Sequence, residues 1–277
     1  MIIGIDIGGT TTDIVGFKDN QIVDLFTIRA SDPIASASGA LGKFINTNDM
    51  TLSDIRKIAI TGVGSSYIDF DILGVPTVEV NEFKAIGLGG AFLSDLDRAL
   101  VISMGTGTAI VKVENRNVSH VGGSGIGGGT LTGLGKIILN TDKFYNIIEM
   151  AEQGTLDLVD LTVGDISQTE IGNLKEDVTA SNFGQADDRA TNNDYAVGIF
   201  NLIYQTVGML SIFAAEKEGM DDIVFTGKLA NIKKGREILS QLKDNKLIKA
   251  NFVFPKNVEY ATAIGAAVSV FEKMNNN

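Results

Sequence analysis

Three runs of small, hydrogen-bonding residues could do chemistry together. They are Gly8-Gly9-Thr10-Thr11-Thr12, Gly105-Thr106-Gly107-Thr108 and Gly122-Gly123-Ser124-Gly125-Ile126-Gly127-Gly128-Gly129-Thr130. Glycine has no Cβ, so its backbone N–H approaches an anion closely and adopts positive φ at little cost. Threonine hydroxyls add donors without adding charge. Such runs suit the oxygens of a polyphosphate. The third run leads into a helix expected from about Thr130, and a helix N-terminus adds free N–H groups and a favourable dipole. Neither Walker A spacing nor a dinucleotide fingerprint fits, because the glycines of Gly123–Gly128 do not follow the first strand of a βαβ unit. One glycine turn alone is usually structural. Three, all at strand-to-turn junctions, point to phosphate binding by Gly8, Gly9, Thr10, Thr11, Gly105, Thr106, Gly107, Thr108, Gly127, Gly128 and Gly129. Asp6, just ahead of Gly8, has two readings: it holds Mg²⁺ through water, as hard oxygen ligands do, or it caps the hairpin amides.

Composition narrows the alternatives. The 277 residues contain no Cys, which removes disulfides, thiolate zinc sites, iron–sulfur clusters and thiol nucleophiles. The single His, His120, removes any His-pair metal site. A net charge of -11 disfavours nucleic acid and anionic membranes as partners, although local amides can still bind an anionic ligand. The first residues carry Asp6 and Asp13 and lack a basic targeting region. The most apolar long stretch, Asn201 to Ala215, is interrupted by Gln205 and Thr206 and reads as too short to span a bilayer. The expectation is a soluble cytoplasmic protein.

The elements that would position these runs come in two sets. Ile2–Asp6, Thr12–Phe17 and Gln21–Thr27 read as a β-meander with a Gly-rich first turn. A helix over Ile34–Ile45 is entered through Ser31-Asp32-Pro33. A buried strand, Lys57–Thr61, runs into Gly62, a further strand spans Thr77–Val80, and Glu82 opens a helix to about Leu93. The order restarts at Ala99: Leu100–Met104, a glycine turn, Ala109–Val113, Asn117–Val121, and much later Asp222–Thr226 ending in Gly227, then Lys249–Phe254 and a helix over Ala261–Lys273. Gly227 repeats the place of Gly62 and joins the phosphate-site candidates. Gly8 and Gly62 are 54 positions apart, Gly105 and Gly227 are 122 apart, and extra material at about 122–218 accounts for the difference. It contains helical stretches at Asn140–Gln153 and Ala190–Glu218. The second is apolar on more than one face, so it is either the central helix of its lobe or also packs on a second subunit. The expected architecture is α/β: a two-lobed, duplicated ribonuclease H-like fold of the actin-like type, with lobes 1–96 and 97–277, a helical insertion in the second, and both hairpins on one cleft.

At this point the residues resemble a family, the type II, eukaryotic-like pantothenate kinases of the actin-like superfamily. The segments GIDIGGT at Gly4–Thr10, Glu82-Phe83-Lys84-Ala85, SMGTGTA at Ser103–Ala109, VGGSGIGGGTLTGLG at Val121–Gly135, LTVGDI at Leu161–Ile166 and VTASNFG at Val178–Gly184 occur in the family's order. The resemblance implies ATP-dependent phosphorylation of pantothenate at its primary hydroxyl, the first step toward coenzyme A, with ATP and Mg²⁺ as cofactors and a homodimer as the assembly. It implies Glu82 as general base and His120, Ser103 and Gly123 at the acceptor. From the residues alone, Glu82 is equally a capping or first-turn acid favoured by the helix dipole. Two positions depart from the family pattern. His120 stands where Arg is usual, and a neutral imidazole supplies neither a permanent charge nor a bidentate fork. Asp13 stands where Lys is usual, with Lys84 and Lys136 the cations that position suggests as compensation. The alternatives are a same-fold kinase for another hydroxyl acceptor, with zinc-containing sugar kinases disfavoured by the missing Cys/His cluster, or a non-catalytic nucleotide-binding regulator.

Overall fold

The computed structural model describes residues 1–29, 32–167, 175–243 and 250–275. Ser31 and Lys249, at the edges of two expected elements, lie outside the described residues. The first set of elements is β1 (Ile2–Ile7), β2 (Thr11–Lys18), β3 (Gln21–Arg29), α1 (Pro33–Thr47), β4 (Lys57–Thr61), β5 (Thr77–Glu79) and α2 (Glu82–Ser94). The second begins with β6 (Arg98–Met104), β7 (Thr108–Glu114), β8 (Asn117–Ser124), α3 (Gly128–Ile138) and α4 (Phe144–Gln153). It continues through β9 (Leu161–Thr162), α5 (Val163–Ile166), β10 (Thr179–Ser181), α6 (Asn192–Glu218), β11 (Asp222–Thr226), α7 (Lys233–Lys243), β12 (Asn251–Val253) and α8 (Ala261–Asn275).

The sheets have the orders β3-β2-β1-β4-β5 and β12-β11-β6-β7-β8. Each has a central strand with an antiparallel meander on one side and parallel strands on the other. The topology is therefore drawn twice, as the repeat in the sequence implies. Alternation along each strand sorts the core. Ile3, Ile5 and Ile7 pack with Leu41 and Phe44 of α1, while Ile2, Val15 and Phe17 face the other way, onto Ala263, Ile264 and Ala267 of α8. In the second sheet Leu100, Ile102 and Met104 pack with Phe200, Ile203 and Tyr204 of α6, and Ala99, Val101 and Val111 face Ile86 and Ala91 of α2.

Chain order does not announce one feature. The α8 helix, which closes the second set in sequence, packs on β1, β2 and β4, while α2, from the first set, packs on β6, β7 and β8. The two helices cross at Gly89 and Gly265, where backbone meets backbone. Two sequence expectations change as well. Residues 140–143 stay outside α4, and α6 is 27 residues long, enough by length and composition to cross a bilayer. Within its most apolar window, however, 67% of α6 is buried, and Tyr204 donates to the Leu229 carbonyl at 2.8 Å, so α6 is a core helix. The buried carboxylate of Asp160 ties the distinctive segments around α6 together. It accepts from Asn182 Nδ2 (3.1 Å), the Phe183 amide (2.8 Å) and Asn201 Nδ2 (2.6 Å).

Candidate active site

The first hairpin is closed by the Gly8 amide donating to the Thr11 carbonyl at 3.0 Å, with Gly9 and Thr10 exposed at its tip. Asp6 lies opposite Asp13 in the β1–β2 register and beside Thr61 of β4. By strand alternation Asp6 and Asp13 share the face of Ile2, Val15 and Phe17, toward the layer occupied by α8 and α2. Gly62, at φ +85°, ends β4 against this strand; a Cβ there would lie 2.3 Å from Asp6 Oδ1. The second half repeats the arrangement. Ser103 lies beside Thr226 and follows Ala99 and Val101 onto the α2 face, and Gly227, at φ +87°, ends β11 with no room for a Cβ beside the Met104 carbonyl, 2.6 Å away. Asp6 and Ser103 are thus equivalent positions, both turned to the inner layer.

The third glycine run folds onto the second hairpin. Gly128 N–H donates to the Gly105 carbonyl (2.8 Å), Gly129 N–H to Thr106 (2.9 Å) and Thr108 Oγ1 to Ile126 (2.8 Å). Gly127 N–H donates to Thr130 Oγ1 at 3.1 Å, and a Cβ on Gly127 would lie 2.6 Å from the Thr106 carbonyl oxygen. The amides of Gly128 and Gly129 therefore buttress Gly105 and Thr106, which are exposed at the tip of the second hairpin. Ser103, Ala109 and Gly123 sit side by side across β6, β7 and β8. His120 lies further down β8, opposite Val111.

A charged side chain that reaches from the second half to the first hairpin is Lys228, directly after Gly227. Its Nζ is 3.5 Å from Asp13 Oδ2 and donates to Thr11 Oγ1, while Thr27 Oγ1 donates to Asp13 Oδ1 at 2.5 Å. Sequence reasoning missed it. The available signal was its place one step past the repeated strand-Thr-Gly, where the first half has Val63. Of the two cations suggested instead, Lys136 is exposed and 4.0 Å from Asp142, and Lys84 lies on α2.

Charge is concentrated here. Burial, with Asp13 and Glu82 as neighbouring anions, pushes Asp6 from its ordinary 3.8 up to about 7. Burial also raises Asp13, against the pull of Lys228 and Thr27, and it raises Glu82. No cluster of three or more metal-binding side chains occurs among the described residues. Mg²⁺ that accompanies a nucleotide takes one or two carboxylates plus phosphate oxygens and water rather than an all-protein cage. Asp6 supplies such hard oxygens, whereas both oxygens of Asp13 are engaged by Lys228 and Thr27.

Glu82 starts α2, and its charge is felt at Asp6 across the inner layer. It is not the helix cap: Asn81 accepts from the Lys84 amide at 3.1 Å in that role. The next residue, Phe83, stacks on His120 with ring centroids 4.0 Å apart and planes 16° apart. Beside that stack is a cavity of about 300 Å³ lined by Asn81, Phe83, Lys84, Arg116, Val118 and His120. The arrangement offers a glycine hairpin from each half, carboxylates beside the first, and an acid, Glu82, between two residues that line a small cavity. This is the layout of a group-transfer site.

Comparison with known proteins agrees. The sequence profile of the family described as Fumble matches residues 93–269. A type II pantothenate kinase of Bacillus cereus (strain G9842) is 30% identical over 234 residues, 81% of this chain and 82% of its own. Another, from Oceanobacillus iheyensis, is 33% identical over 228 residues, 79% of this chain and 84% of its own. The fold is shared with the activator of the 2-hydroxyisocaproyl-CoA dehydratase from Clostridium difficile with bound ADPNP, at a TM-score of 0.67 and 18% identity over 99% of this chain and 96% of that one. The duplicated sheets, the glycine hairpins and this profile lead to one assignment: the chain belongs to the Fumble family, the type II pantothenate kinases.

Proposed function

We propose that this chain transfers the γ-phosphoryl group of ATP to the primary hydroxyl of pantothenate, the first step toward coenzyme A. Family membership identifies the reaction class. What supports the catalytic assignment is the place of Glu82: it opens α2 between Asn81 and Phe83, which line the cavity, and Phe83 carries the stack on His120. Phosphoryl transfer is mostly positioning and charge stabilisation, and a carboxylate of raised pKa accepts the acceptor's hydroxyl proton readily. Gly8, Gly9, Thr10 and Thr11 on one side, and Gly105, Thr106, Gly107, Thr108 and Gly227 on the other, would hold the phosphates, with Gly127, Gly128 and Gly129 supporting the second set. Asp6, through water, would hold Mg²⁺, which neutralises phosphate charge when bound. The acceptor would lie between Glu82 and the His120–Phe83 stack, with Ser103 and Gly123 beside it. The lobes are read as 1–96 and 97–277.

A homodimer in the cytoplasm is part of this reading. Tyr145 of α4 and Leu210 and Phe213 of α6 leave large apolar surfaces exposed on the helical part of the second half. The test of function is ATP turnover against a panel of acceptors. Pantothenate-dependent ADP release supports the proposal; turnover only with another alcohol, or nucleotide binding without acceptor-dependent turnover, overturns it. Glu82→Gln should keep ATP affinity and lose about 10²–10⁴-fold in turnover; unchanged turnover removes Glu82 from the mechanism.

A further inference from the structure

The first hairpin carries an anion, Asp13, in a region already crowded by Asp6 and Glu82, and Glu259 adds a fourth negative charge felt at Asp13. A triphosphate entering such a site needs a cation supplied by the protein. Lys228 meets that need from the opposite half. Gly227 fixes the backbone just before it, with no room for even a Cβ beside Met104, and the Lys228 side chain reaches Asp13 Oδ2 (3.5 Å) and Thr11 Oγ1. Asp13 is held in turn by Thr27 and is 5% exposed, whereas the Lys228 side chain is 40% exposed. The carboxylate is therefore the fixed member of the pair and the ammonium the one open to a ligand.

We propose that Lys228 is the cation that contacts the terminal phosphates of ATP, and that Asp13 is its positioning residue. An ammonium has three donors. Two are directed at Asp13 and Thr11, and the third is free to meet a phosphate oxygen beside the first hairpin. Because Lys228 belongs to one half and the hairpin to the other, the same contact ties nucleotide binding to the closeness of the two sheets. This rests on the ATP-binding reading above but not on the identity of the acceptor.

The test is nucleotide affinity by calorimetry without acceptor, comparing ATP with AMP, both with Mg²⁺. Lys228→Met should weaken ATP by about tenfold to a hundredfold, the worth of one charge-assisted hydrogen bond, and AMP by less than about threefold. Lys228→Arg should retain most of the ATP affinity. Asp13→Asn should weaken ATP in the native background, about threefold to tenfold, because Lys228 loses its holder. In the Lys228→Met background the same change should strengthen ATP, because it removes an unpaired anion. That reversal of sign separates a phosphate contact from a structural tie, which would move melting temperature and affect both nucleotides alike. Equal losses for ATP and AMP, or the same sign for Asp13→Asn in both backgrounds, overturns the proposal. ATP binding that shows this pattern without phosphorylation of pantothenate would sink the functional reading and leave Lys228 in place. A native chain that binds no ATP sinks both.

Discussion

Replacing Gly265 by alanine tests whether the α2–α8 crossing sets the spacing of the two halves. A Cβ on Gly265 would lie 1.8 Å from the Ala85 carbonyl oxygen and 2.6 Å from the Gly89 amide nitrogen, distances that real Cβ atoms essentially never show below 3.0 Å. The opposing atoms are helix backbone, so no side chain can swing aside; the helices have to separate by more than an ångström. Because α8 backs the first sheet and α2 the second, that separation propagates to both. Overpacking costs about 1–3 kcal/mol, and the rigid partner puts this site at the upper end. Alanine's better helix propensity returns about 1 kcal/mol. The net expectation is a loss of about 2 kcal/mol, a fall of roughly 4–8 °C in Tm for a chain of this size class. The control is Gly39→Ala on the exposed face of α1, where an added Cβ meets nothing within 4 Å. It should be neutral or stabilising by up to about 1 kcal/mol. Differential scanning calorimetry of both variants decides. A Gly265→Ala protein that melts with or above the native chain refutes the close-crossing argument.

Other expectations concern charge, the acceptor and assembly. Asp6 titrates near 3.8 when unfolded and near 7 when folded, so the native state binds the extra proton. Its contribution therefore favours folding at low pH and is lost as pH rises from about 4 to 7; Asp13 and Glu82 act in the same direction. Asp6→Asn should raise the urea midpoint at pH 8 more than at pH 5 in the presence of chelator, while abolishing turnover; equal midpoint shifts at both pH values would show that Asp6 is not the group responsible. His120→Arg supplies a permanent charge and a fork next to the cavity. We expect KM for pantothenate to fall by about threefold to tenfold with kcat moved less, read from initial rates; a rise in KM counts against an acceptor role for this position. Phe213→Asp places a charge where an apolar side chain is 59% exposed. On the proposed homodimer, light scattering should show a dimer for the native chain and a monomer for the variant, and an unchanged mass excludes this face as the interface.

Much of the fold is legible in the residues, and for a local reason. Runs such as Ile2–Ile7 and Asp222–Thr226 are rich in β-branched residues and buried, so their positions follow from composition to within a residue, whereas β6 starts at Arg98, two residues before the expected Leu100. Asp32 and Pro33 mark the start of α1, with Asp32 accepting from the Ala35 amide at 2.7 Å. What sequence order does not show is which sheet a helix covers. The glycines at 89 and 265 read as weak helix formers until the crossing explains them. The third glycine run is legible as a turn, but its amides are directed at the carbonyls of Gly105 and Thr106, a long-range match invisible to spacing. Lys228 escapes notice for a similar reason. Its partners are 217 positions away at Thr11 and a similar distance away at Asp13, and one lysine among 23 basic residues has no signature until the chain is folded.

The exchange of α2 and α8 between the sheets reaches back to synthesis on the ribosome. The inner surface of the first sheet, with Ile2, Val15, Phe17 and Ala59, is complete once β5 emerges, yet the helix that shelters it arrives only with residues 261–275. At ordinary translation speeds that delay is roughly ten to forty seconds. A nascent chain halted before the last helix would therefore carry its sticky apolar surface in the earliest residues rather than the latest. Holdase chaperones should grip this polypeptide near its first strands.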